Sequence, residues 1–392
     1  MLGVREFSDS ERRRRIGARQ MCATDPVSAA ECVVALHATD PATVFLSVRA
    51  RVADSLPSAL EDALYEQRTL VRMLGMRRTM FVVPSPLLPV VEASTMERVA
   101  GAQRRLLVKH LREAGIDDTE RWLADVDRCT LDALAARGGT ATAVELAADE
   151  PRLRTTLHLA PGKPYEARTA ITSRVLTVLG AEGRIVRGRP SGSWVSQRYQ
   201  WALAEQWLPV PLDRPSETDA RARLASAWLR AYGPAHPADL QWWTGWTGAH
   251  VKRALADLGA VEVALSGGTG VALPDDLEPT ADPGPWVAFL PALDPTTMGW
   301  AQRDWYLGEY GPRLFDRAGN AGPTVWSDGR IVGGWAQRAD GSIAVRLFED
   351  VGADARARVY AEAERLERWF ADADGVRVIP RFRTPTEREL AE

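Results

Sequence analysis

The sequence predicts an α+β protein in which tandem winged-helix (helix-turn-helix) domains are followed by a small antiparallel β-barrel. Two stretches, within 138–199 and 217–273, each place apolar helices before a β-hairpin with a glycine-rich turn, which is the order of a winged helix. After residue 284 the chain changes to short β-like segments with tight Asp-Gly turns, which is typical of a small barrel. These observations together define the fold class.

The element order divides the chain into four predicted domains. The first, residues 1–137, holds N-terminal helices and a first winged helix whose wing is less clear. The second winged helix spans 138–212 and the third spans 213–280. The C-terminal β-barrel, with one helix, takes residues 281–392.

In the first domain, the sequence predicts a polar, arginine-rich helix at 5–21, which Ser8 or Ser10 can cap, and an apolar helix at 27–37. A third helix is predicted at 57–74, because hydrophobic residues recur there at intervals of three and four. Residues 79–83 are β-branched or apolar and predict a strand that stops at Pro84. The rest of this domain, residues 86–137, reads as helical.

In the second domain, Thr142 and Glu145 have capping-box spacing, which predicts the start of a helix, and another helix follows at about 167–180. A hairpin is predicted within 182–199, around the turn Gly-Arg-Pro-Ser-Gly. The later elements follow the same logic: helices at 217–232, 238–246, 249–258 and 352–373, a hairpin at 261–273, and strands at 286–291, 323–326, 330–335, 342–348 and 376–380.

Composition bounds the class of protein. The chain has 392 residues, of which 45% are hydrophobic and 26% charged, which is ordinary for globular proteins. No run approaches the roughly 18 apolar residues of a membrane span, and the N-terminus lacks the apolar core of a signal peptide. The three cysteines and five histidines show no metal-ligand spacing. We therefore expect a cytoplasmic protein without membrane association, metal or cofactor.

The distribution of charge is more informative than the net charge of −3. Only Lys109, Lys163 and Lys252 are lysines, so nearly all positive charge is arginine, whose fork suits phosphate oxygens. A GC-rich genome would also enrich arginine. The arginines nevertheless cluster, at 12–15, 49/51, 72/77/78 and 184/187/189, which favours a basic inner surface for DNA.

Residues 33–51 place a polar trio, His37, Thr39 and Asp40, between two apolar segments, and Pro41 breaks the helix between them. A histidine and a threonine two residues apart at such a break are able to face a cleft together. The structural alternatives are that His37 caps a helix or is a satisfied core residue, and that Asp40 caps a turn.

Four segments carry a resemblance to bacterial winged-helix DNA glycosylases of the AlkZ and YcaQ type. They are Leu36-His-Ala-Thr-Asp-Pro-Ala-Thr, Arg68-Thr-Leu-Val-Arg-Met-Leu-Gly-Met-Arg-Arg-Thr, Leu290-Pro-Ala-Leu-Asp-Pro-Thr-Thr-Met-Gly-Trp and Val325-Trp-Ser-Asp-Gly-Arg-Ile-Val-Gly-Gly-Trp. The resemblance implies three winged helices and a small barrel around duplex DNA. It also implies excision of bulky N-alkylated purines, including cross-linked ones, and resistance to self-made genotoxins.

The sequence departs from this family at the catalytic motif. That motif is usually Gln-x-Gln or Gln-x-Asp, and the matching positions here are His37 and Thr39. On the resemblance we expect His37, Thr39 and Asp40 to be catalytic, in a monomer that acts on double-stranded DNA carrying alkylated purines. The expected DNA-binding residues are Arg49, Arg51, Arg77, Arg78, Arg187, Arg189 and Arg303.

Two other classes explain part of the pattern. A non-enzymatic winged-helix DNA-binding protein, such as a regulator or lesion binder, accounts for the helices and arginines without needing the polar trio. It is favoured if His37 and Thr39 are both buried in a core. A protein-only scaffold predicts no salt-dependent binding to DNA.

Overall fold

The computed structural model describes residues 4–160, 162–164, 166–208, 214–373, 375–380 and 382–392. Its helices are α1 Asp9–Gln20, α2 Pro26–Glu31, α3 Pro41–Arg49, α4 Pro57–Glu61, α5 Leu88–Val91, α6 Glu97–Glu113, α7 Thr119–Ala136, α8 Ala143–Asp149, α9 Thr172–Ala181, α10 Ala204–Trp207, α11 Glu217–Tyr232, α12 Pro237–Thr244, α13 Gly248–Asp257, α14 Asp304–Leu307, α15 Gly311–Leu314, α16 Ala353–Asp372 and α17 Pro385–Ala391. Its strands are β1 Glu6–Phe7, β2 Leu36–His37, β3 Leu70–Leu74, β4 Met80–Pro84, β5 Thr140–Thr142, β6 Thr156–Leu159, β7 Ala167–Ala170, β8 Ile185–Pro190, β9 Tyr199–Leu203, β10 Val261–Leu265, β11 Gly268–Ala272, β12 Val287–Leu290, β13 Thr324–Ser327, β14 Arg330–Gln337 and β15 Ile343–Leu347.

A six-stranded sheet forms the centre of the first half of the chain, in the order β2-β4-β3-β8-β9-β5. It combines strands from both sides of the predicted domain boundary at residue 138, because β3 pairs with β8 through Arg72 and Arg187. The division into four domains and the tandem winged-helix layout stay predictions. The short strand β2 lies at one edge of this sheet.

Two helices predicted in the first domain are wrong in part. The helix predicted at 27–37 ends at Glu31, and the chain then turns through Val34, whose φ is +68°, into strand β2. The helix predicted at 57–74 ends after one π-helical turn at Asp62–Glu66. Arg68 has a φ of +56°, which stops the helix and redirects residues 70–74 into strand β3.

The capped helix and the two hairpins follow the sequence closely. Thr142 and Glu145 form the predicted capping box at the start of α8. The hairpin β8–β9 is present, although its second strand begins at Tyr199, where the predicted one ended. The helix predicted at 167–180 is wrong at its start, because Ala167–Ala170 pairs with β6 and only Thr172–Ala181 is helical.

In the third predicted domain, α11, α12 and α13 precede the hairpin β10–β11, as the sequence indicates. The two-residue strand β1 extends this hairpin by pairing in parallel with β10. The N-terminal segment therefore belongs spatially to residues more than 250 positions away, as in the ion pair between Arg15 and Asp276.

The predicted β-barrel is wrong: strands β12 to β15 form an open antiparallel sheet in sequence order. Among the described residues its edge strands β12 and β15 do not pair with each other, and helix α16 packs against both, occupying the place where a barrel would close. The strand predicted at 376–380 is also wrong, because the Val378 N–H donates to the Gln337 side chain at 2.9 Å instead of to a strand. None of the described helices is long and apolar enough to cross a lipid bilayer.

Candidate active site and nucleic-acid interface

The polar trio lies where strand β2 passes into helix α3. β2 runs antiparallel to β4, with His37 opposite Phe81, and the Ala38 N–H donates to the Met80 carbonyl at 2.8 Å. Asp40 is the N-cap of α3, because its carboxylate accepts from the Ala42 N–H at 3.0 Å, and Pro41 takes the first helical position. The trio is therefore held between a paired strand and a capped helix.

His37 is 7% exposed, and its ring meets the Phe81 ring edge-on at a centroid distance of 5.4 Å. Its Nδ1 is buried and has no hydrogen-bond partner among the described residues. Burial, and then the positive charges of Arg77 and Arg72, lower the pKa of His37 to about 3, although Asp294 acts in the opposite direction. The imidazole is therefore neutral at physiological pH.

Thr39 and Asp40 are more exposed to solvent than His37. Thr39 is exposed, whereas Asp40 is partly buried, and this burial raises the pKa of its carboxyl group. Within the described part of the chain no hydrogen bond or ion pair joins Asp40 to His37, and capping is the contact that Asp40 makes. The trio is thus neither wholly buried in a core nor wholly in solvent.

Arg72 on β3 belongs to one of the arginine clusters noted in the sequence but was not among the predicted site residues. Its guanidinium donates to the carbonyl of Ala38, between His37 and Thr39, and to the hydroxyl of Tyr199 on β9. It also lies over the Tyr199 ring, 4.1 Å from the centroid. Arg72 therefore connects the motif to the β8–β9 hairpin. Its partners Ala38 and Tyr199 lie 34 and 127 positions away in the sequence, so sequence spacing does not reveal these contacts.

Arg187 is half-buried on β8 beside Arg72. Its guanidinium lies 3.9 Å from the Trp201 ring centroid and 5.5 Å from that of Tyr199. Burial, and then the neighbouring charge of Arg72, lower the pKa of Arg187 to about 10. Its Nε is buried without a partner among the described residues, and no carboxylate there forms an ion pair with it. This unneutralised charge agrees with the prediction that Arg187 contacts DNA.

Arg77, Arg78 and Arg303 are also accessible. Arg77 and Arg78 occupy the β3–β4 turn with φ values of +54° and +60°, and both are exposed. The guanidinium of Arg77 lies 4.2 Å from the Trp242 ring centroid, and that of Arg303 lies 5.0 Å from the same ring. These three arginines have no ion-pair partner in the described ranges, which fits the prediction that they meet phosphates.

For Arg49 and Arg51 the structure argues against the predicted DNA contact. Arg51 is buried, and its guanidinium donates to both carboxylate oxygens of Asp294, at 2.9 and 2.7 Å. Arg49 is 9% exposed and forms an ion pair with Glu362 on α16. Both side chains connect the region of α3 to the C-terminal part of the protein. Their charges are used in internal ion pairs and not in contact with DNA.

Arg189 also has internal acidic partners. It pairs with Glu66 at 2.7 Å and approaches Glu61 at 3.8 Å, and it lies over the Tyr65 ring. A phosphate at this position would have to displace carboxylates that already neutralise the arginine. Arg189 is therefore a weaker candidate for DNA contact than Arg187 on the same strand.

One small cavity adjoins the trio, and a wider cleft adjoins Arg303. The small cavity, of about 40 Å³, lies between α3 and the C-terminal sheet and is lined by Asp40, Leu46, Trp335 and Glu387 among others. Burial raises the pKa of Glu387 to about 7. The wider cleft of about 820 Å³ has Arg12, Arg13 and Arg303 in its walls. Among the described residues no cluster of histidine, cysteine, aspartate or glutamate is arranged to hold a metal ion.

Comparison with known proteins gives a consistent result. The family model described as "DNA glycosylase AlkZ-like" matches residues 30–369. Among solved structures, the chain is similar to the Streptomyces sahachiroi DNA glycosylase AlkZ, with a TM-score of 0.73 and 19% sequence identity over 93% of this chain and 97% of that one. A comparison with curated proteins finds no match.

A fold with this site and this match defines a protein of the DNA glycosylase class. The chain belongs to the AlkZ-like DNA glycosylase family. Family membership implies DNA as the substrate and DNA repair as the process, and the resemblance inferred from the four sequence segments is confirmed.

Proposed function

We propose that this protein is a monofunctional DNA glycosylase that hydrolyses the N-glycosidic bond of N7- or N3-alkylated purines. The substrates include bulky adducts or interstrand cross-links, in base-excision repair or in self-resistance to a genotoxin. The observation that carries the proposal is the position of the motif: His37, on a paired strand, lies two residues from the exposed Thr39, just before the capped helix α3. The family match supports the same reaction class.

Alkylation makes the purine cationic, so the base already is a good leaving group and no strong general acid is required. A water molecule forms the new bond to C1′ while the N-glycosidic bond breaks, and its electron pair stays with the departing base, which leaves neutral. His37 accepts the proton of the attacking water and Thr39 orients that water. Positioned proton transfer of this kind contributes about 10²–10⁴-fold to the rate.

Hydrolysis by water fits the position of the lysines. Glycosylases that also cut the strand use an amine to form a Schiff base. Lys109 lies in α6 and Lys252 in α13, and Lys163 lies between β6 and β7; none is in an element that carries the trio. Excision without strand cleavage is therefore the proposed outcome.

The proposal also covers DNA binding: the protein acts as a monomer, and its tandem winged helices hold duplex DNA. The orders α8–α9–β8–β9 and α11–α12–α13–β10–β11 support two such units, and the unpaired arginines support contact with phosphates. The wide cleft lined by Arg303 gives space for a nucleic-acid strand.

A non-enzymatic DNA-binding protein is the second candidate, and one observation favours it. Residues 37 and 39 are histidine and threonine in place of the usual glutamines, and the histidine is only 7% exposed. This candidate predicts salt-dependent binding without base excision.

The deciding experiment is single-turnover incubation with a duplex that carries one N7-alkylguanine, followed by alkaline cleavage at abasic sites. Wild type, His37→Ala and Thr39→Ala run side by side, with His158→Ala as a matched control, since His158 is exposed and pairs with Glu166 far from the trio. We expect wild type and the control to produce abasic sites, and His37→Ala to be slower by about 10²–10⁴-fold at unchanged DNA affinity. Salt-dependent binding without excision by any of these proteins would instead support the binding protein.

A further inference from the structure

Four arginines near the trio are arranged as two pairs, and each pair shares one aromatic ring. Arg72 and Arg187 lie 4.1 and 5.5 Å from the centroid of the Tyr199 ring. Arg77 and Arg303 lie 4.2 and 5.0 Å from the centroid of the Trp242 ring. Stacking on a ring holds each guanidinium in place but supplies no counter-anion, so both pairs present two positive charges side by side.

Neither pair is neutralised by a salt bridge in the described part of the chain. Arg49, Arg51 and Arg189, in contrast, each have a carboxylate partner. Placing two guanidinium groups together without an anion costs free energy through mutual repulsion and partial desolvation. The Nε of Arg187 is also buried with no hydrogen-bond acceptor among the described residues. An anion bound at each pair would relieve this repulsion.

Both pairs adjoin His37. Arg72 donates to the carbonyl of the next residue, Ala38. Arg77 lies in the turn between β3 and β4, and β4 carries Phe81, whose ring contacts the imidazole. His37 thus has one arginine pair at the hairpin β8–β9 and the other at helix α12, which carries Trp242.

We propose that Arg187, with the charge of the buried Arg72 beside it, and the pair of Arg77 and Arg303 bind two phosphodiesters of one DNA strand, one on the 5′ side and one on the 3′ side of the nucleotide at His37. The proposal rests on the proposed function, because it places the alkylated nucleotide beside that residue. Arginine forks match the two non-bridging oxygens of a phosphodiester. Two bound phosphates would also neutralise the arginines, so that a cationic purine can enter a site that is otherwise positively charged.

Replacement of single phosphates tests the proposal directly. The probe is a duplex with one tetrahydrofuran abasic analogue, which cannot be excised, and one uncharged methylphosphonate placed in turn at each phosphate within five nucleotides of the analogue. We expect wild-type affinity to fall at two phosphates on the strand with the analogue, one on each side of it. Arg187→Gln should lose the response at one of these positions, and Arg77→Gln should lose the response at the other.

The controls separate a phosphate contact from a folding defect. Arg303→Gln reports on the same pair as Arg77→Gln and should lose the same response. Arg189→Gln, whose native side chain is already paired with Glu66, should behave as wild type. Each phosphate-contacting variant should also reduce the slope of log K against log salt by about 0.9. A flat methylphosphonate profile in wild type, or the same lost position in Arg187→Gln and Arg77→Gln, would overturn the proposal.

The outcome is independent of catalysis, because the abasic analogue is bound and not cleaved. Excision of N7-alkylguanine together with a flat profile would refute the two phosphate sites and leave the proposed reaction standing. Two responsive phosphates together with no excision would support the sites and count against the glycosylase reaction.

Discussion

The guanidinium of Arg72 donates to the main-chain carbonyl of Ala38, so a strand in the middle of the sheet fixes the residue between His37 and Thr39. The same side chain donates to Tyr199 on another strand. A rigid backbone at this point keeps the imidazole and the hydroxyl at a constant separation, which positioned water attack requires. Arg72 is therefore a positioning residue and not a catalytic one.

Arg72→Lys tests this role, because lysine keeps the charge but cannot donate to both partners with a rigid fork. We expect excision of N7-alkylguanine to slow by about 10²-fold in single turnover, as for a misplacement of about 1 Å, while affinity for DNA stays close to that of wild type. Tyr199→Phe is the matched variant: it removes one acceptor and should show a smaller loss. An Arg72→Lys enzyme with the wild-type rate would contradict the assignment.

The pH dependence of stability should contain two opposing contributions. The pKa of His37 falls from 6.5 to about 3 on folding, so between these values the unfolded chain binds a proton that the native protein does not. The free energy of unfolding then rises with pH by about 1.4 kcal/mol per unit. The pKa of Glu387 rises from 4.5 to about 7, so this group acts in the opposite direction between those values.

Between pH 4.5 and 6.5 these contributions nearly cancel in the wild-type protein, and single substitutions should separate them. His37→Gln should leave a stability that falls as pH rises, and Glu387→Gln a stability that rises with pH. Glutamine at 387 keeps a capping side chain for α17. Urea unfolding at pH 4.5 and 6.5 measures both slopes, and equal slopes in all three proteins would contradict the expectation.

Substitutions of Asp40 distinguish a capping role from a catalytic role of its carboxylate. Asp40→Ser retains a good N-cap for α3, and we expect it to keep both stability and the excision rate, because capping is the contact that the carboxylate makes. Asp40→Ala should cost about 1 kcal/mol of stability. A loss of 10²-fold or more in the rate of a folded Asp40→Ser enzyme would show that the carboxylate takes part in the reaction.

The buried pair of Arg51 and Asp294 should matter for stability and not for DNA binding. Arg51→Met leaves the Asp294 carboxylate unpaired inside the protein, which typically costs about 3–5 kcal/mol. The exposed pair of Arg330 and Glu349 provides the control, because Arg330→Gln should change stability by only about 0–1 kcal/mol. Urea unfolding compares the two, and the salt dependence of DNA binding by the folded Arg51→Met protein should match wild type.

The sequence predicted correctly those elements that depend on contacts between residues close together in the chain. The capping box of Thr142 and Glu145 and the hairpin at 261–273 depend on residues a few positions apart, and both are confirmed. The position of the trio at a break was also accessible from sequence, because Pro41 disfavours helix at Asp40 and takes the first helical position of α3.

The errors have a common physical origin in contacts between distant residues. Residues 70–74 have helical spacing, but pairing with β4 and β8 makes them a central strand. Arg49 and Arg51 were predicted to contact DNA, but they form ion pairs with Glu362 and Asp294, which lie far along the chain. The bridge from Arg72 to Ala38 likewise depends on strand register, which periodicity does not supply.

Helix α1 is completed by residues from much later in the chain. The Gln20 amide donates to the Ala231 carbonyl and accepts from the Thr296 hydroxyl, 276 positions away. At about 5–20 residues per second, a ribosome needs on the order of tens of seconds to deliver that partner. Helix α1 therefore completes its packing only after the segment around Thr296 has been synthesised.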